Sequence, residues 1–162
     1  VVSSGGRDPS EAEGTLAPNL QVERWVPNWA LLPLCKAVLF HGGYTRMEVL
    51  DHGLPSIVIP FHSEQEFYGR QMEKNGCAVC LPYSDGPYLR KVERWRGGGW
   101  LRIRRFSVHF RPTPTLSPQA LRRAVESVLG DPGMRSAAIR LKESLRKYGG
   151  SGQAVSIIRS RF

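Results

Sequence analysis

Cysteine is scarce in this chain: Cys35, Cys77 and Cys80 are all that 162 residues contain. Three thiols cannot all pair, which excludes a disulfide-stapled secreted scaffold and points to a reducing, cytoplasmic setting. Long apolar runs are missing as well. The most continuous, residues 37–40 and 57–61, fall far short of the roughly 20 residues that a membrane span needs. The first residues, Val1-Val2-Ser3-Ser4-Gly5-Gly6, have neither the basic start nor the apolar stretch of a secretory signal. No Walker loop, nucleophile elbow or acidic metal cluster is written in the sequence. Cys77 and Cys80 form a C-x-x-C, but no second Cys/His pair completes a zinc site. What is there is an ordinary globular composition, 41% hydrophobic and 23% charged, which excludes wholesale disorder. The length suits a single domain over residues 1–162.

The net charge is +9, but it is concentrated. Arg90, Lys91, Arg94, Arg96, Arg102, Arg104, Arg105 and Arg111 lie in one segment with a single acid, Glu93. That leaves 15 of the 23 basic and 13 of the 14 acidic side chains for the rest of the chain, which is therefore nearly neutral. The basic balance belongs to an insert, not to the whole surface. A nucleic-acid partner is disfavoured on that ground, and Arg90 to Arg111 reads either as a hairpin lying on an anionic membrane surface or polyanionic acceptor, or as a solvated hairpin with its aromatics packed on the domain or a poorly ordered loop.

Hydropathy patterning predicts alternating strands and helices. Residues 1–6 read as a strand running into a glycine-rich loop, and residues 7–18 as loop. Leu20-Gln21-Val22-Glu23-Arg24-Trp25-Val26 alternates and is stopped by Pro27. Residues 28–32 predict a short helix. Ala37-Val38-Leu39-Phe40 predicts a strand buried on both faces. His41-Gly42-Gly43 breaks it, residues 45–52 predict a helix, 55–60 a second buried strand, 64–75 a helix closed by Gly76, and 77–81 a further strand. Continuous apolar runs of this kind argue for a parallel sheet covered by helices, whose ligands bind at the carboxyl ends of the strands. The insert, residues 84–115, reads as a hairpin turning at Trp95-Arg96-Gly97-Gly98-Gly99-Trp100, with a slip at Arg104-Arg105 in the position of a bulge. Ser117 and Pro118 then open a helix as N-cap and first residue, with Leu121, Val125, Val128 and Leu129 on one apolar face. Residues 134–148 and 151–158 predict two more helices.

Three pieces stand in order on successive strand ends: Trp25-Val26-Pro27-Asn28, His41-Gly42-Gly43-Tyr44, and Pro60-Phe61-His62-Ser63-Glu64-Gln65. Over residues 19–81, and again from about 116 onward, the chain resembles the C-terminal domain of GT-B glycosyltransferases of the UDP-glycosyltransferase and MurG-like kinds. The resemblance implies an α/β fold, a Rossmann-like parallel sheet flanked by helices that forms one half of a GT-B fold, with the basic hairpin as an insert. It implies binding of a nucleotide-diphosphate sugar, with a UDP-sugar as donor substrate and neither cofactor nor metal.

The resemblance also assigns roles. An indole at a strand end can stack on a uracil ring, and in the family the residue matching Trp25 does so while the next backbone, here Val26, bonds the base edge. Asn28 stands where the family has Gln. A glycine pair lets backbone N–H groups approach an anion closely, so Gly42 and Gly43 are expected at the diphosphate, with His41 donating to a phosphate oxygen. Thr45 keeps the hydroxyl of the family pattern. Arg46 is a departure; its guanidinium can pair with phosphate bidentately or point to solvent. Glu48 takes the place of the Glu that bonds the ribose hydroxyls, one position early because the stretch from His41 to Pro55 is a residue shorter. Glu64 and Gln65 match the acidic residue and glutamine that contact the donor sugar.

The same resemblance puts the acceptor site and the catalytic base in an N-terminal half that this chain has no room for, in cis or as a separate subunit. The catalytic residue is therefore unknown here, and the chain reads as a donor-binding half, truncated at its start and inactive alone. The alternatives are a degenerate GT-B half that regulates or anchors a partner, and a nucleotide-sugar epimerase.

Overall fold

A computed structural model describes residues 1–8, 17–61, 63–81, 90–93, 105–108 and 116–161. The chain divides into two compact units, Val1–Cys35 and Lys36–Phe162. In the first, β1 (Val2–Ser3) and β2 (Val22–Glu23) pair in parallel, Val2 opposite Val22. The strand expected over residues 20–26 is thus limited to two residues. Beyond it the Gly6 N–H donates to the Arg24 carbonyl and the Arg24 Nε returns a bond to Gly6, which joins the two strand ends. Pro27, with φ −70°, precedes α1 (Asn28–Leu31), and a 3-10 turn, Leu32–Leu34, follows, anchored by buried Leu32.

The second unit is built on a three-stranded parallel sheet in the order β3 (Val38–Phe40), β4 (Ser56–Val58), β5 (Ala78–Cys80). β3 leads through α2 (Thr45–Asp51) to β4, and β4 through α3 (Ser63–Lys74) to β5. α4 (Pro118–Gly130), α5 (Pro132–Arg146) and α6 (Gly150–Arg161) follow. Ser117 caps α4 as its sequence requires, its Oγ accepting from the Ala120 N–H at 3.1 Å, and Asp131 caps α5 by accepting from Gly133 at 2.7 Å.

β4 is the centre of two cores. Strand side chains alternate between faces. Val58 therefore packs with Leu50, Met72, Cys80, Ala137 and Ala138, while Ile57 and Ile59 pack with Ala124 and Val128 of α4 on the other face. α3 lies close on the sheet because Gly69 has no side chain: a Cβ there would meet Cys80 Sγ at 2.8 Å and Val58 Cγ1 at 2.9 Å. Two sequence expectations are corrected. β3 is not buried on both faces: among the described residues it is the outer strand of the three-stranded sheet, and Leu39 is 49% exposed. Leu129 does not join the apolar face of α4, since it sits at the flank of the stripe and stands 57% exposed.

β6 (Arg90–Glu93) and β7 (Arg105–Val108) pair antiparallel, Arg90 opposite Val108. The expected hairpin turn at residues 95–100 and the slip at Arg104 lie outside the described residues, as does most of the basic segment. No helix among the described residues is long and apolar enough to cross a membrane.

Candidate functional site

Two loops leave the carboxyl ends of the adjacent strands β3 and β4, so the parallel register brings them side by side. The first is His41-Gly42-Gly43-Tyr44. Gly42 has φ +92°, and a Cβ there would meet both the Gln65 carbonyl oxygen and Val58 Cγ1 at 2.9 Å. Backbone conformation and space each demand glycine, and the turn rests directly on the first turn of α3. His41 is exposed, with its ring edge-on to Phe40 at 6.5 Å and folded back over Gly43. Tyr44 is exposed, and half-buried Thr45 opens α2.

Arg46 does not extend freely to solvent. Its Nη1 donates to the Gly43 carbonyl at 3.2 Å, and its own backbone N–H donates to the same oxygen at 3.0 Å. Its Cζ lies 3.6 Å from the centroid of the Tyr68 ring and 5.7 Å from that of Tyr44. A partly desolvated cation over an aromatic face is worth about 1–2 kcal/mol. Glu48 is exposed in the first turn of α2.

The second loop is closed on itself. Gln65, only 9% exposed, accepts the Phe61 N–H on Oε1 at 2.8 Å, which leaves its amide NH2 as the group able to reach a ligand. Glu64 is exposed on the same helical turn. His62 lies outside the described residues. In the first unit, Trp25 follows β2 and is 71% exposed; Val26 and Asn28 are half-buried, Asn28 as the first residue of α1.

The sequence signature and the sheet it sits on now have a family. The erythromycin biosynthesis protein CIII-like C-terminal domain matches residues 6–89. The chain belongs to this family of GT-B glycosyltransferase domains. It is 24% identical over 153 residues to the 3-alpha-mycarosylerythronolide B desosaminyl transferase of Saccharopolyspora erythraea, covering 93% of this chain and 29% of that protein. The glycotransferase of kitacinnamycin has the same fold, with a TM-score of 0.71 at 24% identity over 97% of this chain and 33% of that one. So does the glycosyltransferase VinC, solved in complex with DTDP, with a TM-score of 0.64 at 20% identity over 91% of this chain and 30% of that one. The chain spans about a third of the length of these relatives.

Within this CIII-like domain the sequence reading missed Tyr68. No spacing rule links it to Arg46, because the contact crosses from α2 to α3. It also missed Glu73, whose Oε1 accepts the Cys80 N–H at 2.9 Å and ties α3 to the end of β5. The Cys77 and Cys80 thiols are free and packed in the core. Burial pushes both up, Cys80 to about 11, so they sit as neutral packing groups at physiological pH. A largely apolar cavity of about 370 Å³ lies along β3, lined by Val38, Leu39, Ile57, Val125 and Leu129, with Lys36 as its one charged residue. Its lining suits hydrocarbon, not a diphosphate.

Proposed function

We propose that this domain binds a pyrimidine nucleoside diphosphate sugar and presents it for transfer to an acceptor held elsewhere in a longer enzyme or by a partner subunit. One observation carries the reading: the glycine turn after β3 rests against the first turn of α3 after β4, at the carboxyl edge of a parallel sheet. When the bond from sugar to phosphate breaks, negative charge grows on the departing diphosphate. Fixed donors at that point stabilise the transition state more than the ground state. The N–H groups of Gly42 and Gly43 supply such donors, and His41 and Thr45 add side-chain ones. Glu64 accepts from sugar hydroxyls, and the free amide of Gln65 donates to them. Glu48 takes the ribose. The exposed indole of Trp25 stacks on the base, with the Val26 backbone and Asn28 at its edge.

The relatives support a pyrimidine. VinC was solved with DTDP, and a UDP-glucuronosyltransferase of Rattus norvegicus is 40% identical over 99 residues. Uridine and thymidine bases share the face that an indole would cover. The acceptor and the catalytic base belong, on this reading, to another part of the enzyme.

Titration calorimetry and thermal unfolding with UDP, TDP and ADP test the proposal. UDP or TDP should bind with Kd below about 1 mM, the upper end of usual substrate constants, and raise Tm. ADP should bind more weakly. Trp25→Ala should remove the preference for pyrimidine, and His41→Ala should weaken all three. No response to UDP or TDP at that concentration would sink the reading.

A further inference from the structure

We propose that Arg46 is a positioning residue: stacked on Tyr68, it holds the Gly43 carbonyl turned away from the anion site, so that the glycine turn offers only N–H groups there. The anion itself rests on the donor-binding reading above; the brace does not.

A turn that binds an anion through amides works only while its carbonyl oxygens face elsewhere, because an oxygen swung toward phosphate repels it. The peptide after a glycine is the one most easily reoriented. Here the Gly43 oxygen is doubly occupied by one residue, at 3.0 Å by the Arg46 N–H and at 3.2 Å by its Nη1. The second bond needs the guanidinium plane to be fixed. Tyr68 fixes it, with its ring centroid 3.6 Å from Cζ, a stacked arrangement that a planar guanidinium accepts readily. Tyr68 stands on α3, the helix that also presents Glu64 and Gln65, and Gly42 abuts the Gln65 carbonyl. The stack therefore braces the first loop against the helix that carries the second. With one face on an aromatic ring and one N–H on a carbonyl, Arg46 serves as a brace.

Amide hydrogen exchange on the free 162-residue chain reads the brace without any ligand. Tyr68→Leu is remote in sequence from the turn. It should speed exchange of the Arg46 and Met47 amides by about tenfold relative to those of β4, while Tyr68→Phe, which keeps the aromatic face, leaves them unchanged. In titrations with inorganic pyrophosphate, Arg46→Ala and Tyr68→Leu should each weaken binding by about tenfold, and the double variant no further. The proposal is overturned if Tyr68→Leu leaves the turn amides protected, or if β4 amides accelerate equally, the mark of general destabilisation. It is equally overturned if Arg46→Ala loses pyrophosphate while Tyr68→Leu keeps it, the mark of direct contact. Coupled exchange in a chain that binds neither pyrophosphate nor UDP nor TDP supports the brace and sinks the donor-binding reading instead.

Discussion

The two loops at the carboxyl edge of the sheet are neighbours built on opposite plans. The turn after β3 presents main-chain groups, braced from behind by Arg46 on the Gly43 carbonyl, and leaves His41 and Tyr44 exposed. The loop after β4 is held by a side chain, with Gln65 bonded to Phe61 and nearly buried. A surface made of main-chain donors changes only when the turn that shapes it is disturbed; a wall made of side chains can be altered one group at a time. On the donor-binding proposal, the first loop sets whether an anion binds, and the second sets which group is tolerated beside it.

The sharpest way to break this contrast is Gly42→Ala. The added Cβ meets Gln65 and Val58, and φ +92° strains any L side chain. We expect a loss of about 2–4 kcal/mol in chemical denaturation, together with loss of diphosphate binding. Gln65→Ala comes next. It removes the bond to the Phe61 N–H and should cost about 1 kcal/mol. Gln65→Glu keeps an acceptor for Phe61 but removes the amide donor. It should stay near wild-type stability, bind UDP unchanged and bind a UDP-sugar less well. Equal loss of both ligands would mean that the second loop does not choose the sugar.

Much of this contrast was legible in the residues. The glycine turn after an apolar run and the helix beginning near Glu64 were legible because both depend on local chain geometry, whereas the roles of Glu64 and Gln65 came only from the family resemblance. Ser117 and its Pro118 were legible on the same local grounds. Leu39 was not: hydropathy alone cannot tell a central strand from an edge strand, since neighbours are set by tertiary order. Leu129 lies one residue from Val128 in sequence, yet falls off the stripe that α4 presents to the sheet. The Arg46–Tyr68 stack was invisible because it joins two helices through packing, and neither residue type announces the other.

A subtler probe concerns the support behind the second loop. Burial lifts the Cys80 thiol from 9.0 to about 11, so the folded chain keeps its proton where the unfolded chain releases it. That contribution to stability is complete below pH 9 and fades as pH climbs toward 11. Denaturation midpoints should fall over that window, and Cys80→Ala should flatten the fall. The smallest effect is expected away from both loops. Arg146 and Asp51 form an exposed pair at 3.2 Å, and Arg146→Ala should change stability by less than about 0.5 kcal/mol and leave nucleotide binding untouched.

The central strand has one more lesson. Ile57 and Val58 are consecutive, yet each answers to a different set of helices. Substitutions on the two faces of one strand therefore have separate consequences. The layer behind Val58, which underlies Gly42, has little room to change without moving that turn. The layer behind Ile57 can be rewritten by exchanging hydrophobic residues between β4 and α4, leaving the glycine turn in place. An engineer seeking a sturdier domain has that second layer to work with.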